Sequence, residues 1–325
     1  MANIEEIALP IREELKKFET FFLDCLYTDS ALLNRVLKYI YSRKGKRIRP
    51  LCVFLAAKAL SENITKDITF AGATAIEMIH TASIIHDDVI DRSDLRRGNK
   101  SVNAEWTSKI AVLAGDYLFS KALMLVTDYG MYDFMSIMSR PICEMSEGEM
   151  VQIEKSINLN NTEQEYFEII RKKTAVLLGA SMEVGAKSVG AEDFSKLMYK
   201  IGENIGMAFQ IRDDIFDYEK TNLIGKPIGN DIIERKLTLP LIFALKQVDE
   251  KKQKAVIKLV KNASIDKKSI SVIRDFVVDN KGLEHASSVA NNYAEQAKTM
   301  IKELKDTPAK QSLIDLCHYV VSRNK

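Results

Sequence analysis

Apolar residues recur along this chain at helical spacing. Ala71, Ala75, Met78, Ala82, Ile85 and Val89 follow one another at steps of four, three, four, three and four, which puts them on one stripe of a long helix. Similar stripes run over about 30–43, 50–61, 104–127, 163–188, 192–218 and 283–304, and convincing period-two runs bounded by turn signals are missing. The pattern predicts an all-α protein. Start signals agree with it: Asp29-Ser30 ahead of Ala31, Pro50 at a first helical position, Thr65 ahead of Lys66, and a capping box from Thr162 and Glu165.

Three segments break the stripes, 43–49, 93–103 and 221–236, and they hold most of the glycines and cations not placed in helices. No Ser/Gly linker, low-complexity tract or composition shift divides the chain, so a single domain over 1–325 is expected. Composition narrows the picture from the other side. Gly and Pro total 20 of 325 residues, about half their usual combined share of roughly 12%, which argues against turn-rich β folds, collagen-like repeats and disorder. The net charge of +2 implies no nucleic-acid partner unless cations cluster. The four cysteines form no Cys-x-x-Cys pair, and no stretch reaches 18 consecutive apolar residues. A protein of the reducing cytoplasm with no transmembrane segment is expected. The lysine-rich last 75 residues read as solvated outer helix faces.

The chemistry concentrates in a near-repeat. Ala82-Ser-Ile-Ile-His-Asp87-Asp88-Val-Ile-Asp91 is matched 126 residues later by Ala208-Phe-Gln-Ile-Arg-Asp213-Asp214-Ile-Phe-Asp217. On a helix, positions i and i+4 share a face, so Asp87 pairs with Asp91 and Asp213 with Asp217. Like charges repel there, and the C-terminal end of a helix disfavours anions by a further few tenths to about 1 kcal/mol. One such motif is as easily an acidic surface end, but two copies after apolar helices imply bound cations. All-carboxylate donors without Cys suit Mg²⁺, which completes its octahedron with water and phosphate oxygens.

Cations stand where a diphosphate would need them. Lys46, Arg47 and Arg49 directly precede Pro50, and Arg96-Arg97-Gly98 follows the first motif by five residues. Alone, either run is a solvated patch; beside paired acidic motifs, anion recognition is favoured, and the two runs could hold a second, metal-free diphosphate. His80, two turns below Asp87, is either a core histidine or a phosphate donor. His86-Asp87 is superficially like the pair of metal-dependent phosphohydrolases, a scheme with no place for the second motif.

These motifs together resemble the all-trans polyprenyl diphosphate synthases, class I isoprenoid synthases of long-chain type, over about residues 40–245, with C-terminal helices over about 246–325. GKRIRP, HDDVID with RRG, the Lys173-Thr174 pair, FQIRDDIFD and GKPIGNDIIERKLTLPLI carry the resemblance. It implies an antiparallel helical bundle around a deep central cavity, the isoprenoid synthase fold, and a Mg²⁺-dependent prenyltransferase. Its substrates would be isopentenyl diphosphate and an allylic diphosphate such as farnesyl or geranylgeranyl diphosphate, with three magnesium ions per site once diphosphate binds. Asp87, Asp91 and Asp213 would be metal ligands, joined directly or through water by Asp217, with Asp88 and Asp214 supporting them. Lys46, Arg49, His80 and Arg97 would hold isopentenyl diphosphate. Arg96, Lys173, Thr174, Gln210, Lys226 and Lys236 would hold the allylic diphosphate or face its reacting carbon. The sequence departs from the family at Arg235, where a glycine usually precedes the last lysine.

The resemblance also implies a homodimer and a product destined for a membrane. A residue five positions before Asp87 lies roughly 7.5 Å down the helix axis; it is Ala82, followed by Ser83. Short-product members commonly place an aromatic ring at this level. The small pair therefore predicts an open tunnel and a product longer than C20, and the resemblance implies the range of about C30–C50 used for quinone side chains. Its end wall is sought among Phe119, Leu123, Met124 and Met135. The competing expectations are a short-chain synthase, a regulatory non-catalytic subunit, and a terpene cyclase or phosphohydrolase on the same architecture.

Overall fold

A computed structural model describes residues 3–43, 45–62, 64, 67–219, 229–263 and 267–323. The chain opens with α1 (Ile4–Ile7), α2 (Arg12–Cys25), α3 (Ala31–Ser42), α4 (Ile48–Leu60) and α5 (Asp67–Ile90). A short hairpin of β1 (Leu95–Arg96) and β2 (Asn99–Lys100) precedes α6 (Val102–Glu105), α7 (Ser108–Asp128) and α8 (Tyr132–Asn158). There follow α9 (Glu163–Ile170), α10 (Val176–Ser188), α11 (Ser195–Phe216), α12 (Asn230–Ile233) and α13 (Leu239–Lys246). The last helices are α14 (Glu250–Asn262), α15 (Lys267–Asp279), α16 (Gly282–Ile301) and α17 (Pro308–Ser322).

The stripe from Ala71 to Val89 lies on α5, and its differences from the expected elements have local causes. Ser30 caps α3 and the Thr162–Glu165 box caps α9, both as expected. Helix α4 starts two residues early, so Pro50 is its third residue, still in the first turn where its missing N–H leaves no bond unmade. The 104–127 stripe breaks at Trp106, and Thr107 caps α7 by accepting from the Ile110 N–H. Thr65 lies outside the described residues. The 163–188 stripe runs from α9 through one π turn, Arg171–Ala175, into α10. The π turn adds a residue to the helix where Lys173 and Thr174 stand, a distortion often found at functional positions.

Helices apolar all round lie innermost. Thus α4 and α10 pack on one another, α10 on α11, α5 on α7, and α11 on α16. The α10–α11 crossing depends on absent side chains: a Cβ on Gly202 would stand 2.5 Å from the Leu178 carbonyl oxygen. Two buried apolar clusters result, one built on α2–α8 with α10, the other on α9, the end of α11 and α13–α16. Asp87 at the end of α5 and Asp213 at the end of α11 face the space between them.

Helices α5 and α7 are long and apolar enough to cross a bilayer by length and composition, with 72% and 39% of their apolar stretches buried. Both carry charged residues, so neither is the uninterrupted apolar run that the sequence lacks. Both are members of the bundle, and α7 exposes Val112, Leu113 and Met124 on its outer face.

Candidate active site

A cavity of about 400 Å³ opens between the ends of α5 and α11. Asp87 and Asp91 line one wall, Asp213, Asp214 and Asp217 the opposite one, with Arg96, Lys173, Gln210 and Lys236 around them. Residues 126 apart in sequence are thus brought across one space from each other. Ile169, Ile170, Phe216 and Leu237 supply its apolar lining.

On the first wall each aspartate is met by a cation. Lys173 Nζ lies 3.9 Å from Asp87 and 2.6 Å from Glu149. Burial raises the Asp87 pKa; Lys173 opposes the rise, and Glu149 and Asp91 add to it. Asp88 turns away from this cavity and accepts from Arg96 Nε at 2.9 Å and NH2 at 2.5 Å, so its support of the motif is to hold Arg96 at the rim. Lys236 Nζ sits 3.4 Å from Asp91 and 2.5 Å from Glu234. Burial works against its charge, but Glu234, Asp91 and Asp231 outweigh it and raise its pKa.

The second wall is organised mainly by neutral donors. Thr174 Oγ1 donates to Gln210 Oε1 at 2.7 Å, Gln210 Nε2 donates to Asp214 at 2.8 Å, and Tyr166 OH donates to the other Asp214 oxygen at 2.6 Å. Burial, with Asp231 nearby, raises the Asp214 pKa well above the usual carboxylate range despite these bonds. Asp213 bonds Arg323 at 2.6 Å. Both Asp217 oxygens accept backbone N–H groups, from Asn230 at 2.9 Å and Asp231 at 3.1 Å. The Asp217 carboxylate thereby ties the start of α12 to the end of α11 while lining the cavity.

A second cleft adjoins the first, lined by Gly45, Arg47, Glu77, His80, Arg96 and Arg97 among others. Arg97 is the first turn residue of the hairpin, with φ 52°, as a two-residue type I′ loop demands. Its guanidinium covers Gly45, where a Cβ would stand 2.3 Å from it. Burial and then Arg49, Arg97, Arg96 and Arg47 press the His80 pKa well below 6.5, so it is a neutral imidazole. Arg49 is pressed down to about 10, first by burial, and its Nε is buried without a hydrogen-bond partner. The middle cation of the run, Arg47, sits in the cleft wall and binds Glu77 at 2.7 Å and Glu19 at 3.4 Å. Lys46 instead lies outside the wall, exposed, donating to Tyr319 OH at 2.8 Å.

Several expectations find no place in these walls. Ala82 is fully buried in the larger cluster, Ser83 Oγ donates to the His80 carbonyl, and neither lines the two cavities. Met124, 53% exposed, cannot form an interior end wall. His86 faces the Val112 carbonyl and Asp116 on α7, away from the aspartates, which removes the phosphohydrolase comparison. Lys226 lies outside the described residues. Sequence reasoning gave no role to Tyr166, Glu149, Asp231 or Arg323; only Glu149, an acid within an apolar helical run, carried a signal.

The donor set fits magnesium. The cavity presents carboxylate oxygens in pairs on opposite walls, and no three ligands converge into a ready cage among the described residues. Mg²⁺ is commonly bound through one or two carboxylates plus substrate phosphates, so this arrangement suits ions that arrive with a diphosphate.

Residues 30–277 match the polyprenyl synthetase family. The octaprenyl diphosphate synthase of Haemophilus influenzae is 34% identical over 326 residues, covering 100% of this chain and 98% of that protein. The heptaprenyl diphosphate synthase component 2 of Geobacillus stearothermophilus is 33% identical over 90% of each chain. The crystal structure of a polyprenyl synthase from Caulobacter crescentus, complexed with calcium and isoprenyl diphosphate, superposes with a TM-score of 0.93 at 30% identity, covering 99% of this chain and 98% of that one.

Proposed function

The chain belongs to the polyprenyl synthetase family, and we propose that it condenses isopentenyl diphosphate with an allylic diphosphate, farnesyl or geranylgeranyl, to give a long all-trans polyprenyl diphosphate for a quinone side chain. The facing of the two aspartate motifs across one cavity, ringed by Arg96, Lys173 and Lys236, carries this reading. Asp87, Asp91 and Asp213 would hold magnesium. Held by these carboxylates together with the allylic diphosphate, the metal would supply charge neutralisation of the leaving group.

The chain's own groups do the remaining work. Lys173, Arg96 and Lys236 meet diphosphate oxygens as their charge develops, the preorganised electrostatics that usually contribute most to catalysis. The oxygens of Thr174 and Gln210 stabilise the allylic cation, and the apolar walls keep water from it. Arg49 and Arg97 bind isopentenyl diphosphate in the adjoining cleft. Neutral His80 donates one ring N–H to it. The double bond of isopentenyl diphosphate attacks the cation, and released pyrophosphate takes the final proton.

A homodimer fits the apolar face that α7 and α8 leave open, where Leu113, Met124, Met150 and Ile157 are all exposed. Sedimentation at twice the chain mass is expected. A two-component assembly is the second reading, favoured by the likeness to a relative named component 2; elongation by the purified chain alone speaks against it. The four free cysteines fit a reducing cytoplasm.

Incubating the purified chain with Mg²⁺, radiolabelled isopentenyl diphosphate and farnesyl diphosphate, then sizing the extracted alcohols, tests the function. Products longer than C20 are expected, and absence of any elongated product refutes the reading. Replacing Ala82 by Phe should shorten the product, at an overpacking cost of about 1–3 kcal/mol in stability. An unchanged product ladder from a folded Ala82→Phe protein would place the tunnel elsewhere.

A further inference from the structure

Arg323 stands just beyond α17 and reaches α11 at the second aspartate motif. Its side chain is 6% exposed, whereas that of its partner Asp213 is 41% exposed. The guanidinium lies 3.8 Å over the Phe209 ring and 5.4 Å from that of Phe216. It donates to the Phe209 carbonyl at 3.1 Å and to Asp213 Oδ1 at 2.6 Å. Its own carbonyl accepts two bonds from Arg212, both at 3.3 Å. The arginine is therefore the fixed member of the pair, clamped at both ends, and the aspartate rests against it.

The same end of α17 touches the other half of the site. Tyr319, one turn earlier, takes the hydrogen bond of Lys46 at 2.8 Å, with the ammonium 5.5 Å from its ring centre. Residues i and i+4 share a helix face, so one turn contacts the second aspartate motif and the basic run before α4.

We propose that Arg323 is a positioning residue that fixes Asp213 for magnesium and diphosphate, and that Tyr319 fixes Lys46 beside the isopentenyl diphosphate cleft, so that the last turn of α17 braces both halves. The inference rests on the ligand role proposed for Asp213 and on the substrate role that the family resemblance implies for Lys46. Physically, Asp213 stands among Asp214, Asp217 and Asp231, all on the same wall. The Arg323 guanidinium offsets the repulsion among them and holds Asp213 in one orientation. A buried guanidinium is costly unless paired; here NH2 makes the bonds while Nε is buried without a partner, so the Asp213 pair carries most of the compensation.

The test is calorimetric titration of the full chain with Mg²⁺ and inorganic pyrophosphate, alongside melting temperature and steady-state kinetics. Arg323→Gln should weaken Mg²⁺–pyrophosphate binding by about tenfold or more, as loss of a charge-assisted hydrogen bond implies. Arg323→Lys keeps the charge without the planar fork and should recover part of it. Tyr319→Phe should leave pyrophosphate binding unchanged while raising KM for isopentenyl diphosphate severalfold. Pyrophosphate binding by Arg323→Gln within about twofold of the unaltered chain, whatever its melting temperature, overturns the role of Arg323. If Arg323→Gln does not fold, Arg323→Lys decides: binding weakened by about threefold supports the role, unchanged binding refutes it. An unchanged KM in Tyr319→Phe overturns the brace to Lys46. Failure of the unaltered chain to bind Mg²⁺–pyrophosphate would overturn the site reading and this inference together.

Discussion

The two aspartate motifs share a spelling but not an environment. Asp87, Asp88 and Asp91 each face a cation from another segment: Lys173 on the π turn, Arg96 on the hairpin, and Lys236 beyond α12. In the second motif Asp214 is held by the uncharged donors Tyr166 and Gln210, and Asp217 by backbone N–H groups, while Asp213 meets Arg323. Equivalent letters therefore do different jobs. In the first motif each carboxylate faces an ammonium or guanidinium; in the second, neutral donors hold Asp214 and Asp217 while Asp213 meets a guanidinium.

Several substitutions can break this contrast. Asp87→Ala should lower turnover by about 10²–10³-fold or more, by analogy with removing one preorganised electrostatic contact; near-normal kcat with unchanged metal binding would sink the assignment. The middle aspartates should then diverge. Asp88→Asn removes the charge that holds Arg96 and should cost about 10–100-fold in kcat/KM. Burial raises the Asp214 pKa and its partners are uncharged, so Asp214→Asn should stay within about tenfold of the unaltered enzyme. Equal losses at the two positions would erase the distinction drawn here.

Smaller effects sharpen the edges of the two regions. Arg235 follows α12 with φ 58°, the left-handed conformation that a glycine adopts without strain. Arg235→Gly should raise stability by about 1 kcal/mol, read as a higher melting temperature, although it gives up a bond to the Lys261 carbonyl. A lower melting temperature would mean that this bond outweighs the strain. His80 provides the mildest test. Its folded pKa lies well below the ordinary 6.5, so the unfolded chain binds the proton more readily. Stability is then full above about pH 6.5 and declines as the pH falls below it. His80→Asn should flatten that decline in melting temperature, and parallel pH profiles for the two proteins would show that His80 is not its source.

Much of the fold could be read because helices are local. The stripe on α5, the capping box of α9 and the apolar rows of α10 and α11 follow from spacing alone. The π turn could not, since Arg171–Ala175 keeps apolar neighbours that fit an ordinary helix. The hairpin was also silent, because strands of two residues have no period to detect. At the site, residues in dense motifs were legible, while Tyr166 and Arg323 were not. Each lies on a different helix or beyond its end, and its role consists of a contact made at long range. The Gly-Lys-Arg-Ile-Arg run shows the limit most clearly: three like charges within four residues offer no means to tell that Arg47 faces the cleft wall and Lys46 faces Tyr319.

The sequence by itself determined the class of the fold, the two pairs of carboxylates and the balance of acidic and basic clusters behind a net charge of +2. Periodicity and i, i+4 geometry are properties of a single helix and need no partner to be read. Only the tertiary structure decided which carboxylates meet cations and which meet neutral donors, that Asp217 ties α12 to α11 at the cavity wall, and that Arg323 stands behind Asp213. Those outcomes depend on burial and on distances between segments far apart in the chain, because desolvation and Coulomb energy are set by position in space and not by order along the backbone.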